Sequence, residues 1–190
     1  MPIMSGQKRD FRDKLNQELI FFAEKHPEQK ITADKMREFI QRRPDCFERS
    51  CLEGHITGSA WLVNKRGDKA LLTLHHKLKR WMQTGGHADG NQNPLQVALR
   101  EAEEESGISG ITPISTDIFD IDIHRIPARP DKGEPEHWHY DIRYLLKAPH
   151  EQFTISPESD DLAWWHATDF STRIAETDVS VQRMAKRFFG

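Results

Sequence analysis

Residues 85–108, GGHADGNQNPLQVALREAEEESGI, constrain this chain more than any other stretch. Local chemistry marks the ends of one helix. Asn93 suits the N-cap, and Pro94 suits the first helical position, where its missing N–H costs nothing. Gly107 suits the left-handed residue that ends a helix. At about 100° per residue, Leu95, Ala98, Leu99 and Ala102 share a stripe able to pack on a sheet. Glu101, Glu104 and Glu105 fall on the adjacent stripe as i, i+3 and i+4 neighbours, so their carboxylates converge.

That convergence is unfavourable without a partner. Like charges at i,i+4 cost a few tenths of a kcal/mol per pair, and acidic groups in the last turn oppose the helix dipole by roughly 0.3–1 kcal/mol each. Arg100 offsets part of this. A hard divalent cation offsets more, because Mg²⁺ takes oxygen ligands from a few carboxylates and completes its shell with water and phosphate. The alternative is a solvated acidic face. Gly85 and Gly86 ahead of the helix argue against it, since glycine lets backbone carbonyls approach a ligand.

Around this segment the pattern alternates between element types. Phe11, Leu15, Leu19 and Phe22 recur at helical spacing, and a second helix begins near Thr32, buries Met36, Phe39 and Ile40, and stops before Pro44. These helices are expected to serve in packing or in forming a homodimer. Strands are expected over 56–64 and 69–75, joined by a turn at 65–68. Further strands fit 118–126, 138–144 and 161–166, and a closing helix fits 178–188 with Val181, Met184 and Phe188 on one side. Strands on both sides of a central helix, with helices at both ends, indicate an α/β or α+β sandwich around a mixed sheet.

Composition narrows the functions. With 27 Lys+Arg against 30 Asp+Glu the net charge is -3, which offers no basic footprint for duplex or long single-stranded nucleic acid. No apolar run is long enough to span a membrane, and the first residues lack the apolar core of a secretory signal. Cys46 and Cys51 form neither a CxxC site nor a disulfide framework. A reducing cytoplasm is the expected compartment.

Residues 86–108 resemble the Nudix box, G-x5-E-x7-R-E-U-x-E-E-x-G-U with U aliphatic. Gly86, Arg100, Glu101, Ala102, Glu104, Glu105, Gly107 and Ile108 match. Gln92 stands where the box has glutamate; it keeps a carbonyl acceptor and loses the charge, which Asp89 in the same loop is placed to supply. The Trp164-Trp165 strand after an acidic loop fits the same family. The resemblance implies a Nudix-type α/β/α sandwich over 53–190 with a helical extension over 1–52. It implies Mg²⁺, with Mn²⁺ as substitute, and hydrolysis of a diphosphate linkage in a small nucleoside diphosphate derivative by a metal-activated water. Carried over by position, Glu101, Glu104 and Glu105 are metal ligands or base, the Gly85 carbonyl is a further ligand, and Arg100 orients the carboxylates. Glu158 is expected as another metal or water-positioning group.

Other residues carry two readings each. His75, His76 and His87 flank the box, and His87 is a phosphate contact or a loop histidine. Arg125, Arg129 and Lys132 grip phosphate or decorate a solvated loop. His137, His139 and Asp141 line one strand face and raise zinc; with no fourth ligand in view, the pattern is taken as the polarity of an edge strand. Among five tryptophans, one ring is free to stack on a base while core packing is the default. Two other functions stay open: a catalytically weak Nudix-fold nucleotide sensor, hinted at by Gln92, and an isomerase resembling isopentenyl-diphosphate isomerase, which needs a catalytic cysteine.

Overall fold

The computed structural model describes residues 11–76, 78–130, 133–156 and 159–190. Two helices come first, α1 (Phe11–Lys25) and α2 (Lys30–Arg42). Then follow β1 (Gly54–Val63), β2 (Lys69–His75), β3 (Trp81–Met82) and β4 (Thr84–His87). The central helix is α3 (Pro94–Ser106). After it come β5 (Thr112–Pro113), β6 (Asp120–Ile126), β7 (His137–Lys147) and β8 (Ser159–His166), then α4 (Ala167–Thr172) and α5 (Val179–Phe189). The described strands form one mixed sheet. Along one edge β1 pairs in parallel with β7, and along the other it pairs antiparallel with β4 at its start and β2 at its end. β7 also pairs with β6 and β5, and β2 with β3 and β8.

Alternation along β1 separates two cores. Ile56, Ala60 and Leu62 join α1, α2 and α3, through Leu19, Phe39 and Val97 among others, in one cluster. Trp61 and Val63 join α4 and α5, through Phe170, Val181 and Met184, in the other. Helices therefore cover both faces of the sheet. The N-terminal helices are bound into the first core. Phe39 stacks on Tyr140 with ring centroids 3.8 Å apart, and Gln29 Nε2 donates to the Ile121 carbonyl at 2.8 Å.

Some expectations need correction. α3 has its expected ends, with Gly107 left-handed at φ 67. Its core stripe is rotated, however: Val97, Ala98 and Ala102 are fully buried while Leu95 and Leu99 only border the core. Asn93 makes no side-chain cap; instead the Asn91 side chain accepts from the Asn93 N–H at 3.0 Å. β7 is not an edge strand, since β1 and β6 flank it. The short elements β3, β5 and α4 have too few residues to show a period. Lys132 and Glu158 lie outside the described residues.

Candidate active site

The polar end of the sheet is built where β4 passes the C-terminal half of α3. Gly86 allows the closest approach: a Cβ there would lie 2.4 Å from a Glu101 carboxylate oxygen. One residue earlier, the Gly85 N–H donates to Glu105 Oε1 at 2.7 Å. In an antiparallel ladder a residue's N–H and C=O point to the same side, so the Gly85 carbonyl faces the same way. Arg100 binds this assembly together. One guanidinium nitrogen, Nη2, donates to Glu101 Oε1 at 2.6 Å and to the His87 carbonyl at 2.8 Å, while Nε lies 4.0 Å from Glu104. Glu104 is the exposed member, with 64% of its side chain accessible. The neighbouring Glu103 points elsewhere, accepting from the Gly110 and Ile111 N–H groups beyond the helix end.

The structure thus brings Gly85, Arg100, Glu101, Glu104 and Glu105 to one place. Their donors suit a hard cation: two part-buried carboxylates and one exposed carboxylate plus a backbone carbonyl, with one guanidinium already fixing Glu101. Other residues named from the sequence go elsewhere. Asp89 pairs with Arg49, Nη2 to Oδ2 at 2.8 Å, and this bond holds its carboxyl below the usual range. Arg125 pairs with Glu136, and Arg129 with Glu134 across a short turn, so each has a carboxylate partner. His76 pairs with Asp160. Trp61 and Trp165 are fully buried, whereas Trp138 is 42% exposed.

Sequence reasoning missed the polar inner face of β1, β4, β6 and β7. His87 alternates with Gly86 and so points away from Glu101. It joins His55, His124, His137 and His139, with adjacent ring centroids 4.9–5.4 Å apart. Burial, with neighbouring histidines and Arg49 adding to it, lowers the pKa of His55 and of His87 to about 4, and burial also depresses His139. Asp141, expected beside His137 and His139, serves a different network. It accepts from Thr57 and Ser59 hydroxyls at 2.7 Å and from Arg143 Nε at 2.7 Å. Arg143, 1% exposed, also reaches Asp120 at 3.2 Å, and Asp120 takes Arg183 at 2.7 Å and Arg187 at 2.8 Å. These charges are buried because they are matched, three guanidinium groups against Asp120, Asp122 and Asp141. The local signal was the alternation of polar His55, Thr57 and Ser59 along β1.

Comparison with known proteins gives the family. The chain is 31% identical to a probable DHNTP pyrophosphohydrolase of Lactococcus lactis over 89 residues, 47% of this chain and 52% of that one. It is 25% identical to an isopentenyl-diphosphate Delta-isomerase of Aliivibrio fischeri over 119 residues, 62% of each. These matches span only about half to three-fifths of those relatives. A NUDIX-family hydrolase structure from Clostridium perfringens superposes with a TM-score of 0.53 at 28% identity, covering 71% of this chain and 96% of that one. The model of the NUDIX domain matches residues 55–185, which include every strand from β2 to β8 and all of α3. The chain belongs to the NUDIX domain family.

Proposed function

We propose that this protein hydrolyses a diphosphate linkage in a nucleoside diphosphate derivative. The observation that carries the reading is the seating of Glu101 on Gly86 and of Glu105 on the Gly85 N–H, with Arg100 bracing Glu101. Glu101, Glu104, Glu105 and the Gly85 carbonyl would hold Mg²⁺, which when bound supplies an acidified water and charge neutralisation at the bridging phosphates. Arg100 holds the Glu101 carboxylate in position. Glu104, exposed and adjustable, is the carboxylate best able to meet an incoming polyphosphate. The NUDIX family and the pyrophosphohydrolase name of one relative support the reaction class. Residues 53–190 form the hydrolase unit in this reading, and 1–52 its helical extension.

The isomerase reading is weaker. It requires a reactive thiol, and both cysteines are buried, with burial raising Cys46 to about 12 and Cys51 also upward. A nucleotide sensor would have no use for a carboxylate cluster held at this cost. A phosphate-release screen over nucleoside triphosphates, nucleotide sugars and dinucleoside polyphosphates tests the proposal. Turnover that stops with chelator and returns with Mg²⁺ or Mn²⁺ supports it. Undiminished turnover in verified absence of metal, or none with any diphosphate, overturns it.

A further inference from the structure

The rings of the five histidines, His55 on β1, His87 at the end of β4, His124 on β6 and His137 and His139 on β7, are not needed to hold the carboxylate site. Their arrangement is specific. His55 sits opposite His139 in the parallel β1–β7 ladder, and His124 sits opposite His139 on its other side. His55, His137 and His139 each place a ring nitrogen within 4.8 Å of the other two. His137 Nδ1 lies 2.9 Å from the Pro135 carbonyl, which can only accept, so Nδ1 carries the proton and Nε2 presents its lone pair. That Nε2 lies 3.3 Å from His139 Nε2. Two imidazoles bound to one tetrahedral ion at about 2.0–2.1 Å place their nitrogens about 3.3–3.4 Å apart. A backbone carbonyl holding the far nitrogen is also the usual outer support of a metal-bound histidine.

His55 supplies an independent observation. It is 4% exposed, and neither ring nitrogen has a partner in hydrogen-bond geometry, although the Cys51 backbone lies near enough to favour its proton slightly. A buried imidazole with both nitrogens unbonded has lost its water and gained nothing in return. A ligand bond offsets that loss, and no hydrogen bond holds the ring back from turning toward His137 and His139.

We propose that His55, His137 and His139 form a second metal centre, for a divalent transition ion of the Zn²⁺ class, distinct from the carboxylate site. Imidazole donors select such ions over Mg²⁺, just as the carboxylates of α3 select Mg²⁺. Three protein ligands leave a fourth position for water or a substrate oxygen. His87 packs beside the trio, its ring centroid 5.0 Å from that of His55 and 4.9 Å from that of His139. The two centres are linked through Arg100, which grips both the His87 carbonyl and Glu101. His55, on the neighbouring strand, takes the third ligand position beside His137 and His139, while Asp141 is held by Thr57, Ser59 and Arg143.

The test is Zn²⁺ binding to the full chain stripped of metal, followed by calorimetry and by ¹⁵N signals of the histidine rings. One equivalent is expected to bind and shift the rings of His55, His137 and His139. The doubly substituted Glu101→Gln, Glu105→Gln protein is expected to retain this site whether or not it retains hydrolysis. Losing an outer-shell partner costs about 10–100-fold in affinity, so His139→Gln, checked for folding by circular dichroism, is expected to lose at least about a hundredfold. The ring signals of the unsubstituted protein decide the matter if that variant fails to fold. No binding up to about 1 mM Zn²⁺, or binding that leaves the rings unshifted and disappears with the two glutamates, overturns the proposal.

Discussion

The Glu101 carboxylate occupies the space that a side chain on Gly86 would fill: a Cβ there would come within 2.4 Å of both its carbon and one oxygen. The contact is with the far end of a flexible side chain. Gly86→Ala is therefore expected to fold, with stability changed by less than about 1 kcal/mol, while Glu101 swings off its position. Activity should fall at least about tenfold, about 1.4 kcal/mol in barrier. Normal turnover in a folded Gly86→Ala protein would show that Glu101 need not sit there.

Glu101→Gln and Glu105→Gln are each expected to lower kcat on the order of a hundredfold, about 2.7 kcal/mol in barrier. Their melting should differ. Glu105→Gln keeps an acceptor for the Gly85 N–H and relieves like-charge repulsion, so its Tm holds or rises. Glu101→Gln weakens the bond to Arg100, so no gain is expected there. Rate and melting measured on both variants separate catalysis from support. Early melting with normal turnover in both would make the acidic face structural.

Gln92 is exposed at the lip of a shallow depression shared with Phe11, Asn91 and Gln96. Gln92→Glu is expected to keep or raise activity, because it restores the charge found in the Nudix box. A loss beyond about tenfold in kcat/KM would assign Gln92 a role of its own.

Asp120 is fully buried and accepts from Arg143, Arg183 and Arg187. Asp120→Asn leaves the buried Arg143 and the part-buried Arg183 and Arg187 short of a charge. Breaking a buried pair in this way costs about 3–5 kcal/mol. Denaturant unfolding measures it, and a loss under about 1 kcal/mol would mean the network behaves like a surface pair.

Asp122 predicts the acid limit. Burial pushes its carboxyl upward, but His124, Arg143 and Arg183 outweigh burial and bring it from 3.8 to about 2. A group whose pKa is lower folded than unfolded adds stability above the unfolded value and loses it as pH falls through the folded one. Asp122 should therefore contribute about 2 kcal/mol above pH 3.8, lost between pH 3.8 and about 2. Unfolding of the native protein and Asp122→Asn across that window should show the difference closing toward low pH. A difference constant with pH would rule out this linkage.

Much of the fold was legible because its signals are local. Gly107 and Pro94 mark α3, and period two marks β7, each within a few residues of where the structure places them. The gathering of Glu101, Glu104 and Glu105 was legible for the same reason, since one helix carries all three. The buried polar face was not. Asp120 and Asp122 alternate with Ile121 and Ile123 as a solvated strand would, and only the arrival of Arg143, Arg183 and Arg187 from β7 and α5 turns that face inward. The histidines share this property: His137 and His139 are visible as a pair, but the register that sets His55 beside them belongs to the sheet.

The parallel pairing of β1 with β7 has a kinetic consequence. Its partners are far apart along the chain; Thr57 and Asp141, joined through side chains, are separated by 84 residues. Such a ladder closes only after a large loop entropy has been met, which makes it a slow event on the folding route. Before closure a chain has no histidine triad, because His55 reaches His139 only through this ladder. If the triad binds Zn²⁺ as proposed, uptake of the ion during refolding would time the moment at which β1 finds β7.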